Sequence, residues 1–249
     1  MRELVAHREI LMNLVRKELK VKYTASALGA AWSLLNPIVF LAVFSFVAFV
    51  LDNLIHDFPV FLLSGLLAWN FFASSVQSGA QAVIDNANLV KKVAFPREIL
   101  PLASVGVALF DLLLQSAVLW LFIGVSGHGF RLPDLALYPL AIATLLVVTT
   151  AGALFVAALN VRYRDVGHLL NLALLVWFWL TPIVYQAALV ERELSSPAWM
   201  LYLLNPMVIV VLGFQRALYG IVVPDAGAES VLPTVSVAWH AATLGGVLL

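Results

Sequence analysis

The amino-acid sequence predicts an all-α integral membrane protein with six transmembrane helices, an N-terminal amphipathic interface helix and two short re-entrant helices before the last span. Composition is the first reason, because 63% of the 249 residues are hydrophobic and 11% are charged, whereas soluble proteins average roughly 45–50% and about 25%. The mean hydropathy is +0.99. The other reasons are apolar stretches long enough to span a bilayer and a one-sided distribution of basic residues. This composition excludes a disordered chain and argues strongly against a water-soluble enzyme.

Residues 1–29 are predicted to form a cytoplasmic interface helix. At about 100° per residue they separate into an apolar and a basic face. The apolar face holds Leu4, Leu11, Met12, Val15 and Leu19, and the polar face holds Arg2, Glu9, Asn13, Arg16, Lys17 and Lys20. Arg8 and Glu18 interrupt the apolar face. Such a helix suits the inner surface of a bilayer, as an anchor or as a docking site for a partner. It lacks the continuous apolar core of a signal peptide.

Residues 30–186 are predicted to form spans one to five, because five stretches reach about 20 apolar residues, enough to cross a hydrocarbon core of roughly 30 Å. These stretches are 30–51, 58–83, 99–126, 135–161 and 166–186. A sixth span, 232–249, is short and still apolar where it stops, so we expect it to be incomplete.

The intervening residues 187–231 are predicted to form an outer loop that contains both re-entrant helices. The stretch 198–223 is apolar, but Asn205-Pro206 interrupts it and Arg216 lies within it. Proline breaks the helical hydrogen-bond ladder, and a charge at the centre of a span costs about 2.5–3.5 kcal/mol. Two short helices that dip back from the outer surface are therefore favoured over a seventh span, which would place the C-terminus outside.

Basic residues predict the orientation, because cytoplasmic loops retain Lys and Arg. Eleven of the fourteen fall in the N-terminal segment, in the loop after the second span and in the loop after the fourth. The remaining three are Arg131, Arg192 and Arg216. This asymmetry predicts cytoplasmic N- and C-termini in a multi-pass protein.

The loop after the second span is unusually rich in ordered features for a connector. Its sequence predicts a short helix with an apolar ridge and basic flanks, ended by Pro96. Its candidate contact residues are Asn88, Leu89, Lys91, Lys92, Val93, Phe95, Pro96 and Arg97. We expect Leu89, Val93 and Phe95 to fill a groove on a cytosolic partner, so that truncating Phe95 harms the contact more than truncating Lys91. The alternative is that the three cations only follow the positive-inside rule.

Polar and aromatic residues inside the spans are further candidates. Asp111 lies near the middle of span three, with Gln115 one turn further on. An ionisable group there must face protein or water, as a proton relay or, in the favoured interpretation, in a hydrogen bond between helices. Trp177, Trp179 and Tyr185 lie along span five. Their rings could stack on sugars, although most such aromatics are interface anchors.

Several chemistries have no signal in this sequence. It contains no G-x-x-x-x-G-K-[ST], G-x-S-x-G or HExxH pattern, so it lacks the usual phosphate loop and two common hydrolase motifs. There is no cysteine, and no two histidines have helical ligand spacing, so no metal site is predicted. The net charge of zero provides no basic excess for nucleic acid. Energy for any uphill transport must come from another subunit.

The sequence resembles the transmembrane permeases of ABC-2-type polysaccharide exporters, the group that serves O-antigen, capsule and teichoic acid export. Six stretches carry the resemblance in order: "LVRKELKVKY…LGAAWSLLNP" (14–37), "SGLLAWNFF" (64–72), "NANLVKKVAFPREILPL" (86–102), "NVRYRDVGHLL" (160–170), "WLTPIVY" (179–185) and "LNPM…GFQRALYG" (204–220). Each is weak alone, but together on one topology they are specific. Relatives usually continue into a short charged tail that this sequence lacks.

The resemblance implies a homodimer in the bacterial inner (plasma) membrane that pairs with two copies of a separate nucleotide-binding ATPase. ATP and Mg²⁺ would bind that ATPase, and no cofactor is expected in this chain. The interface helix and the segment 91–97 match ATPase-contacting elements, and spans one and five match the walls of a path for lipid-linked polysaccharide. An ABC-2 exporter of a drug or lipid is the nearest alternative. A membrane-embedded glycosyl- or acyltransferase and a secondary transporter are less well supported, because neither paired carboxylates nor internal repeats are found.

Overall fold

The computed structural model describes residues 7–24, 31–50, 55, 57–93, 95–127, 132–163, 165–220 and 242–243. Within these ranges the regular structure is helical and no β-strand occurs, which confirms the all-α prediction for this part of the chain. The predicted sixth span, 232–249, lies outside the described residues except for 242–243, as do residues 221–231 of the predicted outer loop.

The helices follow one another with short connections. They are α1 (Arg8–Thr24), α2 (Ala31–Val50), α3 (Phe58–Asp85), α4 (Ala87–Lys92), α5 (Ile99–Ser126), α6 (Leu132–Leu135), α7 (Leu137–Arg162), α8 (Val166–Trp179), α9 (Ala187–Glu193), α10 (Ser196–Leu203) and α11 (Pro206–Leu218).

Three of the described helices, α3, α5 and α7, are long and apolar enough to cross a membrane by length and composition. They contain 28, 28 and 26 residues, more than the roughly 20 that a bilayer requires. The pair α10 and α11 would add a fourth if it were one broken span, and it bends by 86°. Two further apolar helices are shorter: Pro37–Val47 within α2, and α8. These lengths indicate a membrane protein, while the count of six spans stays a prediction.

The predicted fifth span is helical over less of its length than expected. We predicted 166–186, but α8 ends at Trp179 and bends follow to Tyr185. Pro182 explains the early end, because it lacks a backbone N–H and disfavours helical geometry at Thr181. The Thr181 hydroxyl donates to the carbonyl of Trp177 at 2.8 Å and satisfies one of the last helical acceptors.

The chain forms two compact units. The first comprises Met1–Leu35, Asn70–Leu114 and Thr149–Val176, and the second comprises Asn36–Trp69, Gln115–Val148 and Trp177–Leu249.

In the first unit, α1 packs along the beginning of α5. Leu14 is buried in a cluster with Ile99 and Ala103, and a Cβ built on Gly106 would lie 2.8 Å from Cγ2 of Val15. The glycine thus permits close approach of the two helices. Met12, which the helical periodicity assigned to the apolar face, is 52% exposed. The buried face is centred on Leu14 instead, because it packs on protein rather than only on a flat lipid surface.

In the second unit, α11 is the most completely buried helix described. Every residue from Val210 to Leu218 is buried. Asn205 lies at the bend and caps α11, since its side-chain oxygen accepts from the backbone N–H of Met207 at 3.0 Å and Pro206 occupies the first helical position. The predicted break at Asn205-Pro206 is therefore confirmed.

Candidate functional site

The candidate coupling segment, residues 88–97, comprises most of α4 and the turn into α5. α4 ends at Lys92, and Val93 is extended. The backbone N–H of Ile99 then donates to the carbonyl of Pro96 at 3.2 Å, which starts α5. α4 therefore ends four residues before Pro96 and not at Pro96 as the sequence predicted, and Pro96 lies in the turn that leads into α5.

The apolar ridge of this segment packs largely against its own chain. Leu89 and Phe95 are partly buried against the cluster formed by Leu14, Ala82, Ile99, Leu100 and Ala103. Because both side chains are only partly buried, their predicted contact with a partner's groove stays a prediction. Both side chains cover an apolar cluster that would otherwise meet water, so their burial stabilises the segment itself.

The outward face of the segment is mainly polar. It presents Asn88, Lys91, Lys92, Val93 and Arg97. Val93 is 47% exposed, which makes it more exposed than the other two predicted apolar contact residues, Leu89 and Phe95. The face thus offers three cations around a small apolar residue, a combination suited to an acidic partner surface.

Lys91 and Arg97 also border a cavity of about 730 Å³. Its wall is completed by apolar residues such as Val90 and Val161 and by the polar side chains of Gln81 and Asn160. Asn160 is buried and donates to the carbonyl of Ala80 at 2.7 Å, which joins α7 to α3. The surface beside the segment is therefore concave.

The predicted residues of the interface helix α1 lie on two faces, one packed and one exposed. Leu11 and Val15 pack against the buried cluster, whereas Arg16, Lys17 and Lys20 are exposed. The predicted separation of these five residues is confirmed.

Glu18 lies toward the buried side of α1, as predicted. Burial raises the pKa of its carboxyl, Lys17 opposes the rise and nearby Asp85 adds to it. The folded chain therefore favours the protonated form of Glu18 more than an unfolded chain would.

Asp111 joins α1 to the middle of α5. Its carboxylate accepts from the Lys22 ammonium and the Tyr23 hydroxyl, each at 2.5 Å. The ring of Tyr23 also contacts Phe110, with centroids 5.9 Å apart. The predicted interhelical hydrogen bond is confirmed, but α1 as the partner was not predicted.

The three candidate path aromatics differ in their surroundings. The Trp177 indole donates to the side-chain oxygen of Asn205 at 2.8 Å. The Tyr185 hydroxyl donates to the carbonyl of Trp179 at 3.1 Å. It also lies 3.2 Å from the Tyr202 hydroxyl. The Trp179 side chain is 60% exposed. Trp177 and Tyr185 thus help to hold the bend before α11, while Trp179 keeps an open ring. A role in binding sugars stays a prediction.

One buried ion pair was missed by the sequence reasoning. Arg216 Nε lies 2.9 Å from Oδ1 of Asp134, and their side chains are 9% and 2% exposed. The available signal was Arg216 itself, because a cation in an apolar helix requires a partner. No local pattern identifies a partner 82 residues away.

Comparison with known protein families gives one extended match. A family model described as ABC-2 type transporter matches residues 10–219. The O-antigen export system permease protein RfbA of Myxococcus xanthus is 35% identical over 246 residues, which cover 98% of this chain and 94% of the relative.

Less similar relatives match a smaller share of the chain. The O-antigen export system permease protein RfbA of Klebsiella pneumoniae is 30% identical over 208 residues, covering 83% of this chain and 79% of the relative. The polysialic acid transport protein KpsM of Escherichia coli is 23% identical over 202 residues, covering 78% and 75%. With its apolar helices and a match that includes nearly all described residues, this chain belongs to the ABC-2 type transporter family of membrane proteins.

Proposed function

We propose that this chain is the permease subunit of an ATP-driven exporter that moves lipid-linked polysaccharide across the bacterial inner membrane. The observation that carries the proposal is the 35% identity to an O-antigen export permease over nearly the full length of both proteins. The relative described as a polysialic acid transporter is more distant. The shared element of these names is a carbohydrate polymer, so the class of substrate is proposed rather than one particular polymer.

In this proposal two copies of the chain form the path and two copies of a separate ATPase bind on the cytoplasmic side, where ATP and Mg²⁺ are held. The sequence has no phosphate-binding loop, which supports a separate energy source. The chain is one transmembrane domain: 1–29 is the cytoplasmic interface helix, 30–186 carries spans one to five, 187–231 is the outer loop with two re-entrant helices, and 232–249 is span six.

The contact with the ATPase is proposed to use the outward face of residues 88–97. Lys91, Lys92 and Arg97 would meet acidic groups, and Val93 would be the apolar contact. Phe95 supports the segment from within its own chain, so its truncation would act through packing. The exposed cations of α1 would extend the same basic surface.

Export can be tested in cells from which the native permease gene of a polysaccharide exporter has been deleted. Expression of this chain together with its cognate ATPase should restore surface polysaccharide, and the two proteins should co-purify. Restoration should be lost when the ATPase carries a substitution in its phosphate-binding loop. Correct insertion and ATPase binding without any surface polysaccharide would contradict the proposed substrate, and export of a drug or lipid would then be favoured.

The contact face can be tested with two substitutions at one exposed site. Val93→Asp places a carboxylate where an acidic partner surface is expected and should abolish co-purification, whereas Val93→Ala should weaken it only mildly. Equal co-purification of both variants would argue against this face. The cytoplasmic position is checked separately with Lys92→Cys in the cysteine-free chain, because labelling of that thiol from outside intact cells contradicts the proposed topology.

A further inference from the structure

From its middle to its end, α3 carries a continuous polar stripe. Its members recur every three or four residues and fall within an arc of about 100° on the helix. They are Asn70, Ser74, Gln77, Ser78, Gln81 and Asp85. All except the partly buried Asn70 are exposed. The opposite side of the same segment, which includes Phe72, Val76 and Ala80, is buried.

This arrangement would be ordinary in a soluble protein, but α3 is long and apolar enough to span a membrane. Away from the helix ends, exposed positions on α5 and α7 are apolar, as at Phe155 on α7, which is 65% exposed. Hydrocarbon cannot satisfy amide and hydroxyl groups. The polar stripe must therefore face water, protein or a polar ligand.

A cavity of about 470 Å³ lies against the stripe. This volume is within the roughly 300–1,000 Å³ typical of small-molecule sites. The stripe contributes Gln77, Ser78, Gln81 and Asp85 to its lining, and other elements contribute Glu18, Asn86 and Ser104. Gln77 also donates to the side chain of Asn171 on α8 at 3.2 Å, so polar groups of two helices meet here.

The lining identifies the class of ligand. An anionic headgroup would require cations, but the polar lining residues are amides, hydroxyls and the two carboxylates, with no Lys or Arg among them. Amides donate and accept hydrogen bonds, and carboxylates accept them. Sugar hydroxyls also do both, so they match this lining better than phosphate does.

We infer that the polar stripe of α3 and its cavity bind the sugar units of the transported polymer through their hydroxyl groups in the inner half of the path. This inference rests on the proposed function, and it places a binding surface on span two in addition to spans one and five. The repeated side chains provide equivalent contacts at steps of about 5–6 Å, which suits a polymer that advances along them.

Accessibility is tested first, in single-cysteine variants labelled with a positively charged methanethiosulfonate reagent in membranes open on both sides. Gln77→Cys lies eight residues before the end of α3, and Phe155→Cys lies seven residues before the end of α7. Each thiol is therefore about 10–12 Å from the C-terminal end of its helix. The thiol at position 77 should react at least about tenfold faster, because a charged reagent rarely enters hydrocarbon. Equal rates would overturn the inference.

Function is tested with Gln77→Leu and Gln81→Leu together, which keep side-chain size and favour membrane insertion. Export should fall about three- to tenfold through the lost hydrogen bonds, with unchanged ATPase binding, and Gln77→Asn with Gln81→Asn should recover much of it. Phe155→Leu is the matched control and should export normally. Normal export by the double leucine variant would show that the stripe is not a sugar surface. Failure of the wild-type chain to export would instead contradict the proposed function.

Discussion

The contact between Gly106 of α5 and Val15 of α1 allows a sharp test of how the interface helix is held. A methyl group added at position 106 would lie 2.8 Å from Cγ2 of Val15, whereas carbon atoms prefer about 3.5–4.0 Å. Gly106→Ala should therefore force α1 and α5 apart by up to about 1 Å or turn Val15 from its preferred rotamer. Such overpacking costs about 1–3 kcal/mol.

Val15→Ala should also destabilise the chain, by roughly 1–2 kcal/mol, because it removes two partly buried carbons. The double variant should nevertheless recover much of the lost stability, since the new methyl at 106 occupies space that Val15 has vacated. The double variant should lose about 1–2 kcal/mol less free energy of unfolding than the sum of the losses of the two single variants. In thermal unfolding of the purified permease, each kcal/mol corresponds to about 2–4 °C at this chain length.

Gly124 on the same helix supplies the control, because among the described residues a Cβ built there meets nothing within 4 Å beyond its chain neighbours and the backbone of its own helix. Gly124→Ala should leave the unfolding temperature unchanged or raise it slightly through better helix propensity. The packing argument is refuted if Gly106→Ala behaves like Gly124→Ala, or if Val15→Ala makes its effect worse.

Three other predictions concern individual contacts. Arg216→Leu should lower the free energy of unfolding by about 3–5 kcal/mol because it leaves Asp134 buried without this cation, and adding Asp134→Leu should restore most of the loss in thermal unfolding; no recovery would contradict the pairing. Asn205→Ala should cost about 1–2 kcal/mol through the lost cap of α11, whereas Asn205→Asp, which keeps the acceptor, should cost less in the same assay. Because burial raises the pKa of Glu18 from its ordinary 4.5, the stability that this group contributes is complete below about pH 4.5 and is lost as pH rises through the raised value. Glu18→Gln should therefore gain stability relative to wild type between pH 4.5 and 7, and a constant difference across that range would argue against the shift.

Local signals predicted the helix boundaries best. The break at Asn205-Pro206 was predictable because a cap residue and a proline at the first helical position act within one turn. The end of α4 was predicted less well, because this helix stops at Lys92 and not at Pro96. For the fifth span, the apolar stretch continues past Pro182 and predicted a longer helix than the one that forms. Pro182 lacks the backbone N–H that a continued helix would need.

Contacts between distant segments were less predictable. Periodicity indicated that α1 has two faces, but it could not show that Leu14 packs on α5 while Met12 remains outside. It also could not distinguish an apolar ridge offered to a partner from one that covers its own core, as Leu89 and Phe95 do. The partners of Asp111 and Arg216 are each more than 80 residues away, beyond the range of any helical period.

The separation of Asp134 and Arg216 also constrains how the protein is made. Arg216 is synthesised 82 residues after its partner, and at roughly 5–20 residues per second this delay is about 4–16 s. During that interval the carboxylate cannot enter its final buried position with this cation, because an ionised group is costly to bury without compensation. Docking of α11 is therefore a late step of biogenesis, since this ion pair cannot form until residue 216 has been synthesised.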